Sequence, residues 1–204
     1  MQPSRAQQAL ARRVAESRAT VPHLELSTEI EVSAAMQRAL PARVIRACAL
    51  ALGEVPRANA AYRDGQFELY SRINIGIALP SQDAIVVATL FDADTKPLDA
   101  LSQEIAGLSE RARAGDLSAP ELASATFTLW PASDPAVSRL GPLIVAPQAA
   151  ALGAGAPRPT AVVRDGTVLP GHTMTLTLAC DHRILYGEEA SKFVQALRLH
   201  IQAD

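Results

Sequence analysis

The residues best suited to chemistry are Cys180-Asp181-His182-Arg183, which close an apolar segment and precede Ile184-Leu185-Tyr186-Gly187. A histidine at the point where a buried strand stops is held by packing while one ring nitrogen faces a cleft, which is the setting of a general base. The competing reading is a structural histidine bonded to nearby backbone, and on this octapeptide alone that reading is preferred. Cys180 offers a thiol nucleophile, but in an apolar strand it is expected to pack as a small hydrophobe. The other histidines are expected at the surface: His23 on the wet face of a strand, His172 in a turn and His200 near the C-terminus. Asp92 and Asp94 read as a solvated turn before a helix rather than a metal pair. No two histidines have ligand spacing, so no metal is expected. Gly153-Ala154-Gly155 lacks the further glycine and the helix start that a phosphate-cradling loop needs.

The elements around these residues follow from periodicity. Ser4 caps a helix running to about Arg18, with Ala6, Leu10 and Val14 on one stripe. Pro22 ends it, and strict alternation follows: Leu24, Leu26, Thr28, Ile30 and Val32 on one face, His23, Glu25, Ser27, Glu29 and Glu31 on the other. Ala42–Leu52 reads as a nearly all-apolar core helix closed by Gly53 and followed by Pro56. Asp64-Gly65 and Asp165-Gly166 are hairpin turns. Strands are expected over 73–79, 84–90, 126–130 and 173–180, with shorter apolar segments at 143–145 and 149–152. Pro97 opens a helix to about Ala112 that Gly115 stops. A last helix spans about Glu188 to Ile201, with Phe193, Val194, Leu197 and Ile201 as its stripe. Pro131 to Pro142 carries no periodic signal. The pattern predicts an α+β fold: a two-layer sandwich with a mixed, largely antiparallel sheet and helices on one side.

Composition narrows the function classes. The 204 residues are 49% hydrophobic and 20% charged, with a net charge of −2, enough chain for one sizeable core. That charge leaves no basic footprint for nucleic acid or an anionic membrane surface. Aromatic residues make up 4%, too few for a base-stacking platform. Apolar runs are short, so no transmembrane helix is expected. Arg5, Arg12 and Arg13 interrupt any signal-peptide core. Two cysteines make neither a disulfide framework nor a zinc knuckle, and a cytoplasmic protein with reduced thiols is expected.

Taken together, these blocks resemble a known family. Cys180-Asp-His-Arg-Ile-Leu-Tyr-Gly187 and the Phe193 helix are similar to the C-terminal signature of dihydrolipoamide acyltransferases, the catalytic cores of 2-oxo acid dehydrogenase complexes, where the motif reads D-H-R-x-x-D-G or D-H-R-x-x-N-G. Ala11–Ser17, Val21-Pro-His23 and Glu31-Val-Ser33 resemble the family's opening helix and first strand. Ala47–Asn59, Ile73–Ala78, Ala114–Leu122, Pro147-Gln148 and Leu152-Gly153 continue the match in order. The segment between Val32 and Arg43 is shorter than the family usually has. The resemblance covers nearly the whole chain, so residues 1–204 are expected to form one catalytic-type domain with no lipoyl or peripheral-subunit-binding domain.

The resemblance implies a chloramphenicol-acetyltransferase-like fold and homotrimers with the site between subunits. It implies coenzyme A and dihydrolipoamide as the reacting thiols, His182 as the base, and no covalently bound cofactor. A coenzyme A thioester is the expected substrate, and other dehydrogenase-complex subunits or lipoyl domains are the expected partners. Asp181, Arg183 and Gly187 match the motif's supporting positions. Two positions depart from it. Trp130 of Phe127-Thr-Leu-Trp130 stands where the family's F-T-I-S segment places an oxyanion-binding serine, and the spacing to Gln148 needs no gap. Tyr186 stands where Asp or Asn is usual. Ser133 and Ser138 are alternative donors nearby. The expected function is therefore acyl transfer with activity weak or lost; the alternative is an inactive trimeric scaffold or partner subunit. In the family's larger cores an apolar C-terminal tail joins trimers, whereas Leu197–Asp204 ends polar, so assembly is expected to stop at the trimer.

Overall fold

The structure, a computed structural model, describes residue 2 and residues 5–82 and 84–203. Ser4, the expected cap of the first helix, and Asp204 lie outside the described residues. The first helix, α1, runs Arg5–Thr20, and β1 runs His23–Glu31. A short helix α2 (Ala34–Gln37), capped by the Ser33 hydroxyl, leads into α3 (Leu40–Glu54). Nine residues of α3 are buried, as an all-round apolar helix requires. Gly53 does not close α3. It continues the helix, and termination falls to Val55, whose backbone leaves the helical region, and to Pro56, which starts the 3₁₀ turn Pro56–Ala58.

Strands β2 (Ala60–Arg63) and β3 (Gln66–Leu69) form a small hairpin. Its turn residues Asp64 and Gly65 both have positive φ, the two-residue geometry whose twist suits a hairpin. Next come β4 (Ile75–Pro80), β5 (Ile85–Leu90), α4 (Leu98–Ala114) and α5 (Ala119–Ala123). Gly115, at φ +80°, ends α4 as expected. The one-turn α5 lies in a segment expected to be loop. A reciprocal capping box between Ser118 and Glu121 stabilises it. Strands β6 (Phe127–Pro131), β7 (Ala150–Ala154), β8 (Arg158–Arg164) and β9 (Thr167–Asp181) precede the last helix, α6 (Gly187–Ala203). Leu143–Val145 is irregular rather than strand.

The main sheet has the order β1-β9-β7-β6-β4-β5, with β8 also on β9. Only β4–β6 and β6–β7 are parallel; every other pair in this sheet is antiparallel. Helices α3, α4 and α6 pack on one face, where Phe127 meets Phe193 at 5.7 Å between ring centroids. The exception among the long helices is α1. Its Ser17 hydroxyl donates to Ile144 O at 2.6 Å, tying α1 to the loop over the other face. That loop, residues 132–149, takes in most of the unassigned stretch from Pro131 to Pro142 and the 143–145 segment, which is not a strand. A side chain at Gly153 would collide with Leu140 O, and one at Gly155 with Ser138 O. The Gly-Ala-Gly stretch therefore serves backbone contact between loop and sheet, not phosphate binding.

Candidate active site

His182 sits immediately beyond β9 in a tight turn. Its amide donates to Pro22 O at 2.9 Å, and the Ile184 and Leu185 amides both donate to Asp181 O at 2.9 Å. Asp181 is buried and takes three donors from Arg183: the backbone N–H at 3.0 Å, Nε at 2.9 Å and a terminal guanidinium nitrogen at 2.6 Å. The guanidinium in turn lies 3.8 Å from the centroid of the Tyr62 ring on β2. Asp181 and Arg183 thus fix the turn's shape and leave the imidazole alone. His182 is exposed, and among the described residues its ring meets only the edge of Tyr186, at 5.5 Å between centroids and 75° between planes. The structural reading preferred on the octapeptide, a ring bonded to nearby backbone, is not found among the described residues. Tyr186 is 53% exposed, so its ring anchors nothing behind the turn. Gly187 opens α6 with room around it for a side chain.

Cys180 is buried, and its Sγ donates to Leu24 O at 3.6 Å. Burial, with the Asp181 charge adding to it, pushes its thiol pKa up to about 12. It is therefore not a nucleophile at neutral pH. Burial likewise pushes the Cys48 thiol upward.

Trp130, the last residue but one of β6, lies on the sheet face away from the α3–α4–α6 layer. It packs with Val21, Ile144, Ala151 and Ala179, and its indole N–H donates to Leu143 O at 2.9 Å. The indole donor is thus spent on holding the 132–149 loop. Thr128, two residues earlier, donates to Gln148 Oε1 at 2.7 Å, and Gln148 Nε2 donates to Ala125 O at 2.9 Å. Of the alternative donors, Ser133 is exposed and Ser138 half-buried.

Within one chain these two positions do not meet. Trp130 stands level with Gly153 of β7, and Gly153 with Thr177 of β9. His182 lies past the far end of β9, on the order of 20 Å away by strand rise and spacing. The remaining histidines differ from expectation in detail. His23 is half-buried, because its Nδ1 donates to Val21 O at 2.7 Å and the ring folds back over the chain. His172 is exposed but belongs to β9, whose hairpin extends further than the apolar run. His200 is half-buried and meets Glu54 at 2.5 Å across α6 and α3. Asp92 pairs with Arg72, whose hydrogen bond draws its carboxyl pKa down; Asp94 is exposed.

Tyr62 escaped the sequence reading. Only its hairpin could be anticipated, not the docking of that hairpin on Arg183. Gln148 appeared only as a block in a pattern; its buried bond to Thr128 needs β6 and the loop in place.

Comparison with known proteins places this geometry. Residues 1–203 match the family described as the 2-oxoacid dehydrogenases acyltransferase, catalytic domain. The chain is 28% identical over 210 residues to the dihydrolipoyllysine-residue acetyltransferase component of the pyruvate dehydrogenase complex of Rickettsia bellii, covering 95% of this chain and 50% of that protein. The chain thus spans about half the length of that curated relative. A crystal structure of a probable dihydrolipoamide acetyltransferase from Listeria monocytogenes superposes with a TM-score of 0.93 at 26% identity, covering 100% of this chain and 94% of that one. A chloramphenicol acetyltransferase superposes with a TM-score of 0.57 at 17% identity, over 93% and 94% of the two chains. The α+β sandwich is therefore the chloramphenicol-acetyltransferase-like fold.

Proposed function

The chain belongs to the 2-oxoacid dehydrogenase acyltransferase family as a catalytic-type domain, and from that premise we propose that it is an acyltransferase with strongly reduced activity. The reaction is acyl exchange between coenzyme A and a dihydrolipoyl thiol. His182 takes the thiol proton, and the thiolate attacks the thioester carbonyl. The tetrahedral oxyanion then collapses, and the departing thiolate takes the proton back from the imidazolium. The exposed imidazole on a rigid turn supports the base role. The protein acts as a homotrimer in which His182 of one chain faces Trp130 of the next, and it works beside other subunits of a 2-oxo acid dehydrogenase complex. The distance between the two residues within one chain supports an arrangement across subunits.

One observation carries the reduced activity: the Trp130 N–H is already donated to Leu143 O. An indole committed in this way does not bind the oxyanion, and losing one such donor costs roughly 10²–10³ in rate. The same observation favours the second reading, a trimeric scaffold without activity. Acetyl transfer from acetyl-CoA to dihydrolipoamide separates the two. On the first reading the wild type is slow, His182→Ala abolishes what remains, and Trp130→Ser with Tyr186→Asp raises the rate roughly a hundredfold. No transfer in any of the three assigns the scaffold. A wild-type rate typical of such enzymes, lost in His182→Ala, shows that Trp130 is tolerated and overturns the reduced activity.

A further inference from the structure

The β2–β3 hairpin carries two aromatic rings side by side, each stacked on an arginine. Tyr62 and Phe67 are cross-strand partners and share one face of the hairpin. The Arg57 guanidinium lies 4.7 Å from the Phe67 centroid, and the Arg183 guanidinium 3.8 Å from the Tyr62 centroid. The two arginines differ in what they serve. Arg57 pairs with Glu189, and both of these side chains remain well exposed, at 36% and 29%, so that pair contributes little. Arg183 serves the buried Asp181 carboxylate, which takes the guanidinium and the Arg183 N–H together. A buried carboxylate that loses its counter-charge is costly, so the orientation of this one guanidinium decides the state of the turn. The residue between the two members of the pair is His182. Slackening of the pair therefore moves the backbone that carries the imidazole.

The Tyr62 ring comes from a fixed base. The Tyr62 N–H donates to Pro147 O at 3.0 Å, the Ala149 N–H to Ala60 O at 2.8 Å, and the Asp181 N–H to Ala149 O at 2.8 Å. A closed circuit thus runs from β2 through the 147–149 segment to Asp181, across the ion pair to Arg183, and back to β2 through the ring. We propose that Tyr62 is a positioning residue for His182: its ring face keeps the Arg183 guanidinium on Asp181 and so fixes the turn that presents the imidazole. The proposal rests on the base role of His182 given above. A planar guanidinium stacks on an aromatic face while its N–H fork stays free for the carboxylate. Leucine fills part of the same space but offers no such face. The Tyr62 hydroxyl takes no part, so phenylalanine is the conservative replacement.

The test compares Tyr62→Phe, Tyr62→Leu and Phe67→Leu with the wild type, each as the full chain. With isotope-labelled histidine, the His182 resonances are identified by their loss in His182→Ala. A single sharp set with an Overhauser contact to the Tyr186 ring is expected in the wild type, Tyr62→Phe and Phe67→Leu. Tyr62→Leu is expected to broaden or split that set and to lose the contact. In acetyl transfer from acetyl-CoA to dihydrolipoamide, Tyr62→Leu is expected to lower kcat and kcat/KM together by roughly tenfold, with KM unchanged. Tyr62→Phe is expected to keep the wild-type rate. Unaltered His182 resonances in folded Tyr62→Leu overturn the proposal. So does an equal effect of Phe67→Leu, or a Tyr62→Phe that behaves as Tyr62→Leu. If Tyr62→Leu does not fold, the wild type decides: a stacked ring shifts the Arg183 Nε proton upfield, and an unshifted proton overturns the proposal. A wild type without transfer sinks the acyltransferase reading alone, because the His182 resonances still answer for Tyr62.

Discussion

The two ends of the sheet hold their candidate side chains in opposite ways. At the His182 end Asp181 clamps the turn, Arg183 answers it and Tyr62 stacks on Arg183, while Tyr186 stands exposed where the family usually has Asp or Asn. The imidazole itself is left free. At the Trp130 end the strand position survives, but the side chain there is structural, packed beneath α1 and the 132–149 loop and hydrogen-bonded to that loop. A side chain at a candidate position is thus either left free or committed to packing. The hydrogen-bond partners, not the location, tell the two conditions apart.

The largest expected contrast tests whether the His182 end is addressed through a histidine or a thiol. With its pKa raised from 9.0 to about 12, Cys180 carries roughly a thousandfold less thiolate at pH 8 than an unfolded cysteine. Iodoacetamide labelling followed by mass spectrometry should find it inert in the native chain and reactive in urea. The linkage has a definite sign. A folded-state pKa above the unfolded one favours the neutral thiol, so its contribution to stability is full below pH 9 and is lost as pH rises towards 12.

Next in size is Asp181→Ala, which leaves the Arg183 guanidinium without its buried partner. A loss of about 3 kcal/mol is expected in urea denaturation. A loss below about 1 kcal/mol would show that the turn does not depend on this clamp. At the other end, Trp130→Phe keeps most of the bulk but strands the Leu143 carbonyl. A cost of about 1–2 kcal/mol is expected. The smallest effect belongs to His182→Ala. An exposed ring with one edge contact should change stability by no more than about 0.5 kcal/mol. If His182→Ala cost more than Trp130→Phe, the contrast between the two ends would be reversed.

Much of this protein was legible from local signals. The hairpin dipeptides Asp64-Gly65 and Asp165-Gly166, the αL stop at Gly115 and the alternation through β1 each depend on a few adjacent residues. The apolar helices α3 and α6 and the family blocks placed the helix layer and the His182 turn. Local signals misled where another near neighbour in the chain outweighs them. Gly53 resembles a helix stop, yet α3 continues through it until Pro56 ends it. His23 alternates outward, yet its ring turns back onto Val21 O.

What the sequence by itself determined was the fold class, the family and the identities of the two departures, Trp130 and Tyr186. These rest on short-range periodicity and on residue types at fixed spacing. Tertiary structure alone decided what each departure does. Whether an indole N–H is free or spent depends on the Leu143 carbonyl, in a loop laid across Gly153 and Gly155. Hydrogen bonds and cavities belong to pairs of surfaces, and a one-dimensional pattern specifies each surface without stating which one it will meet.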